Sequence, residues 1–90
     1  MAKRTKLEIT KDLLMVLLEY RKVKITHLIY KTNLSNNSIK PYINDLLKNG
    51  LITEMQDEDK KFFVITSKGN EFLQEYKKIK IFSEAFGIGE

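Results

Sequence analysis

The segment spanning residues 26–52 constrains the fold more than any other part of the chain. It is predicted to form two short helices joined by a tight turn. Thr26 is predicted to cap the first helix, because its hydroxyl can accept a hydrogen bond from a free amide of the first turn. Asn33 can adopt the left-handed backbone that a tight turn requires. Ser35 is predicted to cap the second helix, and Gly50 follows it where a positive φ ends a helix.

This arrangement is typical of a helix-turn-helix motif. The second helix, at about 36–49, is predicted to bury Ile39, Ile43, Leu46 and Leu47. At about 100° per residue, its opposite face carries Asn37, Pro41, Asn44 and Lys48. Pro41 removes one backbone hydrogen bond, so the helix either begins late, near Ser38, or tolerates a kink. Leu34 in the turn is expected to fill the gap between the crossing helices.

The charge of the chain is concentrated in the half that holds this motif. Of the 90 residues, 1–50 carry ten Lys or Arg and four Asp or Glu, whereas 51–90 carry six and eight. The net charges of the two halves are therefore +6 and −2. A positive field around an exposed polar helix favours a nucleic-acid partner.

An amphipathic helix is predicted to precede the motif. Thr5 and Glu8 fit a capping box, so this helix should begin near Lys6. Its apolar positions recur at helical spacing and predict a deeply buried helix: Ile9, Leu13, Leu14, Val16, Leu17, Leu18 and Tyr20. The segment 23–25 is expected to add one short strand.

Two strands and a final helix are predicted to follow the motif. The strands fall at 51–55 and 61–65, joined by a polar loop at 56–60 that is mostly acidic. Thr66 or Ser67 should cap the last helix, 67–86. The expected architecture is mainly α with a small β-hairpin, in one domain spanning 1–90: a core and hairpin at 1–66 followed by the C-terminal helix.

The last helix carries a heptad-like apolar pattern at Phe72, Tyr76, Ile79, Ser83 and Phe86. Such a stripe predicts a homodimer, with Tyr76, Ile79, Phe82, Ser83 and Phe86 as the interface. Two heptads are fewer than the three or four of a typical coiled coil. The stripe could instead fold back onto the first helix.

Composition argues against several other classes of protein. The chain has no cysteine and one histidine, His27, so neither a thiolate nor a histidine metal site is expected. No phosphate-binding glycine loop or catalytic set is recognisable, so an enzyme is not predicted. No apolar run approaches the ~20 residues of a membrane span. We therefore expect a cytoplasmic protein without cofactor, membrane contact or evident small-molecule ligand.

Several stretches resemble known winged-helix proteins. The segments Ser35–Ile39 and Leu47–Ile52 resemble the recognition helix of winged-helix regulators, and Thr66–Leu73 resembles the junction that follows the wing. The stretches Lys3–Ile9 and Ile29–Ser35, together with the overall length, resemble small archaeal winged-helix DNA-binding proteins, some of them chromatin-associated. The resemblance covers nearly the whole chain. It implies a winged helix-turn-helix with an extended C-terminal helix.

That resemblance also implies a function. It implies a transcriptional regulator or nucleoid-associated chromatin protein that binds double-stranded DNA as a homodimer through its C-terminal helix. We expect the helix at about 36–49 to enter the major groove, with Asn37 and Asn44 pairing with adenine and Pro41 touching a thymine methyl. The full set of DNA-binding candidates is Lys3, Arg4, Lys6, Lys31, Ser35, Asn36, Asn37, Ser38, Lys40, Pro41, Asn44, Lys60 and Lys61.

A second function remains open at this point. The winged helix also serves as a protein–protein contact module. The acidic loop Gln56–Asp59 favours this alternative, because a wing that grips phosphate should be basic. The basic N-terminal half and the polar helix face favour DNA.

Overall fold

A computed structural model describes residues 4–87 of the chain. Four helices and three strands follow one another in the order α1 (Lys6–Tyr20), β1 (Lys22–Val23), α2 (Ile25–Thr32), α3 (Asn36–Lys48), β2 (Ile52–Asp57), β3 (Lys60–Ile65) and α4 (Ser67–Ala85). This order confirms the predicted mainly helical fold with a small hairpin, which is a winged helix-turn-helix with a long C-terminal helix.

The core is built around the middle of α1. Leu13, Leu14 and Leu17 have no solvent exposure, and neither do Leu28 of α2 and Ile39 of α3. Each such side chain contributes about 1.5–3 kcal/mol of transfer free energy. Because these residues come from α1, α2 and α3, the core fixes the position of α3 and leaves the opposite face of that helix exposed.

Capping residues and residues with positive φ mark the ends of α1, α2 and α3. The capping box of Thr5 and Glu8 is formed at the start of α1. Asn33 is left-handed at φ 58°, Ser35 caps α3, and Gly50 has φ 73° after its end. These features confirm the predicted turn and both predicted ends of the second motif helix, to within one residue.

The sheet places β3 between the two other strands, both antiparallel to it. Val23, Ile52 and Phe63 are buried on the inner face. The outer face carries the cross-strand pair of Met55 and Phe62, and Met55 is exposed. The β2–β3 hairpin therefore packs one face on the helices, while its other face leaves Met55 exposed and Phe62 partly buried.

A close contact joins α4 to the rest of the domain. The Thr66 hydroxyl accepts a hydrogen bond from the amide of Gly69 and donates one of 2.7 Å to the carbonyl oxygen of Gly50. Gly69 is buried, and a Cβ there would collide with the carbonyl oxygen of Leu51. Only a glycine lets the first turn of α4 approach this backbone so closely.

Three predictions at the start of the motif and in α1 are wrong. Helix α2 begins at Ile25, and its N-cap is Lys24, without a side-chain hydrogen bond; Thr26 lies inside the helix. Half-buried Ile25 packs against the core, so tertiary contact rather than a hydroxyl cap sets this end. The short strand is Lys22–Val23, not 23–25. In α1, Leu18 and Tyr20 are exposed, so the buried stripe is narrower than predicted.

Two further predictions, the late start of α3 and the length of the hairpin loop, differ from the structure. Helix α3 begins at Asn36 and continues through Pro41, so the late start near Ser38 is wrong. The strands extend to Asp57 and from Lys60, leaving a two-residue turn of Glu58 and Asp59 instead of the predicted five-residue loop. Glu58 takes φ 58° to make this turn.

Candidate nucleic-acid interface

The exposed face of α3 is held in place by its buried face. Ile39, Ile43 and Leu46 are buried and Leu47 is partly buried against the core, as the sequence predicted. Asn37, Pro41, Asn44 and Lys48 are all exposed. Anchoring by four apolar side chains turns this polar face away from the core.

The polar side chains on α3 fall into two groups. Ser35 and Ser38 are engaged with each other: the Ser35 hydroxyl accepts from the Ser38 amide at 3.1 Å and donates to the Ser38 hydroxyl at 2.8 Å. In contrast, the side-chain amides of Asn36, Asn37 and Asn44 make no hydrogen bond to any described residue. These three amides keep their full donor and acceptor capacity for a ligand.

Helix α3 also carries a cation that is free of ion pairs. Lys40 is exposed and forms no ion pair within residues 4–87. Lys6 at the start of α1, by contrast, pairs with Asp45 of α3 at 3.0 Å, although its side chain stays largely exposed. Lys40 is therefore the better placed of the two to meet a phosphate without losing an existing partner.

Lys31 lies on α2 beside an aromatic ring. Its Nζ atom is 5.2 Å from the centroid of the Tyr20 ring, and the Tyr20 ring in turn lies 4.7 Å from the ring of His27. A side-chain hydrogen bond with Tyr20 raises the pKa of Lys31 above its ordinary value. Lys31 is exposed, so its charge is available to a polyanion.

Arg4 is committed to contacts within the chain. It donates to the carbonyl oxygen of Thr32 at 2.7 Å and pairs with Asp12 at 2.9 Å. Asp12 also accepts from Lys11 at 2.7 Å, and that hydrogen bond raises the pKa of Lys11. Lys3, the other cation predicted in the basic arm, lies outside the described residues.

The tip of the hairpin is electrostatically unfavourable for phosphate. Asp57 pairs with Lys22 at 3.2 Å, and Glu54 pairs with Lys61 at 3.5 Å. Of the two turn residues, Glu58 and Asp59, neither forms an ion pair with a described residue. Lys60 is exposed beside them. The turn thus keeps an uncompensated negative charge.

The sequence did not single out a basic cluster on the outer face of the sheet. Lys22 and Lys24 place their Nζ atoms 4.6 and 5.9 Å from the centroid of the Phe62 ring. Lys22 pairs with Val64, two residues from Phe62 on β3, so the two side chains share one face of the sheet. The sequence did not predict this pairing, because β1 and β3 are far apart along the chain. Both lysines are among the ten cations of residues 1–50, and Lys22 is already paired with Asp57.

Within 4–87, no group of three His, Cys, Asp or Glu side chains is arranged to hold a metal ion. No helix among these residues is long and apolar enough to cross a membrane.

Comparison with known proteins identifies the fold. A family model described as winged helix-turn-helix matches residues 3–84. The structure is similar to Sso10a-2, a DNA-binding protein from Sulfolobus solfataricus, with a TM-score of 0.78 and 27% identity over 93% of this chain and 87% of that one. No curated protein sequence matches the chain significantly.

Two further solved structures share the fold at lower identity. F93 from STIV, a winged-helix DNA-binding protein, aligns with a TM-score of 0.70 and 18% identity over 88% of this chain and 95% of that one. A MarR family protein from Bacillus stearothermophilus aligns with a TM-score of 0.71 and 20% identity over 84% of this chain. The alignment spans 56% of the MarR family chain, so that protein is considerably longer.

Proposed function

Because the chain belongs to the winged helix-turn-helix family, we propose that it binds double-stranded DNA as a homodimer and inserts α3 into the major groove. This family is one of DNA-binding regulators rather than enzymes, in agreement with the expectation from composition. The observation that carries the proposal is the exposed face of α3, where the amides of Asn37 and Asn44 are unpaired beside the free cation of Lys40. The DNA-binding descriptions of Sso10a-2 and F93 support the same function.

In this proposal, base contact and phosphate contact come from different residues. An asparagine side chain can donate to N7 and accept from N6 of adenine in the major groove, and Pro41 offers an apolar surface to a thymine methyl. Lys31 and Lys40 meet phosphates, where they position the protein without reading sequence. Lys6 can join them if it exchanges Asp45 for phosphate.

The hairpin contributes little to DNA binding in this proposal. Glu58 and Asp59 at the turn would repel phosphate, and Lys61 is already paired with Glu54. Only Lys60 remains as a cation there. DNA binding thus depends on α2 and α3 and not on a basic wing.

The homodimer is proposed to form through α4. Leu73 near its start is buried, but Ile79, Phe82 and Phe86 farther along are 64%, 63% and 66% exposed. Phe82 and Phe86 contact each other, with ring centroids 4.7 Å apart. An apolar stripe of this size on a single subunit marks an interaction surface. Pairing through it would place two α3 helices on one duplex, so that two weak half-sites act together.

The proposal is tested by measuring affinity for labelled duplexes over a range of salt concentrations. Fluorescence anisotropy should show affinity falling with a log–log slope of about −0.9 per phosphate neutralised. Replacing Lys31 and Lys40 with Gln should weaken binding to all sequences alike and make the slope shallower. The matched control is Lys77→Gln with Lys78→Gln, which removes the same charge from α4.

The acidic hairpin turn favours a second candidate function. A winged helix whose wing repels phosphate could use its surface to contact another protein. If the chain does not bind duplex DNA at low salt, the result would support this protein-contact function and contradict the DNA-binding proposal. An affinity that does not change with salt concentration would have the same meaning.

A further inference from the structure

Strand β2 forms an exposed edge of the sheet. Because β3 lies between the two other strands, β2 is paired on one side only. The strand is six residues long, and residues 53–57 are all exposed. The unpaired side of such a strand presents a row of N–H and C=O groups to which another extended chain can bond.

The hydrogen bonds at the start of the hairpin show which backbone groups face outward. The amide of Thr66 donates to the carbonyl oxygen of Leu51 at 3.1 Å, immediately before the first paired residue of β2. Bonded and non-bonded pairs alternate in an antiparallel ladder, so residues 53, 55 and 57 bond to β3. The N–H and C=O groups of Glu54 and Gln56 therefore point away from β3, and they have no other partner among residues 4–87.

The charges on this edge favour a basic partner. Residues 52–59, which are β2 and its turn, contain no lysine or arginine and four carboxylates: Glu54, Asp57, Glu58 and Asp59. The neighbouring cations Lys22, Lys60 and Lys61 belong to β1 and β3, and two of them are already paired with Asp57 and Glu54. A strand added to the edge would lie about 4.8 Å from β2 and about twice as far from β3, so it would meet the carboxylates first.

The same features argue against other occupants of the edge. The β2 strand of a second copy would bring four more carboxylates, and a nucleic acid would bring phosphates, so like charges would face each other. Met55, which is 44% exposed, pairs with Phe62 on the outer face and offers an apolar contact beside the charges. An extended segment in which basic and apolar residues alternate matches both features.

We propose that β2 binds, as an added antiparallel strand, a segment of another protein in which basic and apolar residues alternate. Main-chain hydrogen bonds to Glu54 and Gln56 hold the segment, and side chains at alternate positions select it. Its basic residues lie opposite Glu54 and Gln56, and an apolar residue lies opposite Met55. The contact goes beyond the proposed function and does not rest on it, because the proposed DNA site uses α2 and α3.

A blocked peptide of alternating lysine and valine, as long as β2, is the probe for this contact. Titrated into the isotope-labelled full chain without DNA, it should shift the amide resonances of Glu54 and Gln56. Only the peptide residues opposite these two exchange hydrogen bonds with β2. N-methylation of the lysine amides should therefore weaken binding at least about tenfold, whereas N-methylation of the valine amides, which face away, should leave it unchanged. A peptide with glutamate in place of lysine should bind at least about tenfold more weakly.

Variants of the chain test the same contact from the other side. Gln56→Pro removes one outward N–H and leaves the bonds to β3 in place, a change that edge strands tolerate. It should weaken binding of the peptide about fivefold. Glu58→Gln together with Asp59→Asn should weaken it about threefold. The matched control, Glu71→Gln with Glu84→Gln, removes the same charge from α4 and should have no effect.

The edge contact is overturned if the two N-methylated peptides bind alike, if the glutamate peptide binds as tightly as the lysine peptide, or if the shifts map elsewhere. Shifts at Glu54 and Gln56 that depend on protein concentration without peptide would assign the edge to a second copy and overturn the basic partner. These measurements use the wild type, so they decide the question even if Gln56→Pro does not fold. Because no DNA is present, they are independent of the duplex affinity that tests the proposed function.

Discussion

The guanidinium of Arg4 donates a hydrogen bond to the backbone carbonyl oxygen of Thr32, 28 residues farther along the chain, at 2.7 Å. Thr32 is the last residue of α2, where carbonyl groups lack partners within the helix. The Thr32 side chain is occupied with the Leu28 carbonyl, so Arg4 completes the end of the helix from outside. Arg4, which was predicted to contact phosphate, therefore connects the segment before α1 to the turn before α3.

We expect Arg4→Met to lower the free energy of unfolding by about 1–2 kcal/mol, the range for a charged hydrogen bond that is partly exposed. Urea denaturation would measure the loss. Lys40→Met removes the same charge from a side chain without a partner and should leave stability nearly unchanged. Equal stability of the two variants would contradict a structural role for Arg4.

Replacing Asn37 and Asn44 with Ala should reduce the preference between DNA sequences more than it reduces overall affinity. Each bidentate amide contact with adenine accounts for about 1–3 kcal/mol of discrimination, whereas phosphate contacts are independent of sequence. Selection of binding sites from a random pool would rank the sequences for each protein. Asn49→Ala serves as the control, because that amide is already bonded to the Asp45 carbonyl. A double variant with the wild-type ranking would refute the base contact.

Gly69→Ala should destabilise the protein by about 1–3 kcal/mol, although alanine is the better helix former. The added methyl group would meet the Leu51 carbonyl oxygen and the Ile65 side chain, so α4 has to shift away from the hairpin. Thermal unfolding followed by circular dichroism would show the change. Lys68→Ala, one residue earlier and exposed, should not lower the midpoint; a Gly69→Ala protein as stable as that control would show that the contact can relax.

Introducing Tyr76→Glu together with Ile79→Glu should abolish the proposed α4 dimer and weaken DNA binding. Two buried carboxylates would have to lose their hydration in the interface, which is strongly unfavourable. Sedimentation gives the mass, and anisotropy on the same samples gives the affinity. A folded variant with unchanged mass and affinity would exclude the stripe as an interface.

Local chemistry made much of this fold predictable. The capping box of Thr5 and Glu8, the Ser35 cap, left-handed Asn33 and positive-φ Gly50 are each determined by neighbours within a few residues. Hydrophobic spacing identified the buried face of α3 for the same reason. These signals sufficed to place the exposed polar face on which the proposed DNA site depends.

The remaining features depend on contacts between distant residues. Helix α2 begins at Ile25 because that side chain packs on the core. The capping tendency of Thr26, which is a local signal, carries no information about this contact. The tight turn of Glu58 and Asp59 contains no glycine or asparagine. The pairing of β2 with β3 instead imposes the positive φ of Glu58. The ion pair of Lys22 with Asp57 joins strands that are not neighbours in the sheet.

Pro41 divides α3 into two parts that should differ in their local dynamics. Proline has no amide hydrogen, so the carbonyl oxygen of Asn37 has no donor four residues ahead. The backbone hydrogen bonds before this gap are stabilised by the Ser35 cap and by the burial of Ile39. Those after it are stabilised by the burial of Ile43 and Leu46. The first turn can therefore open without unfolding the rest of the helix. Amide hydrogen exchange should be faster before Pro41 than after it, and the end of α3 proposed to read DNA would be the end that adjusts on contact.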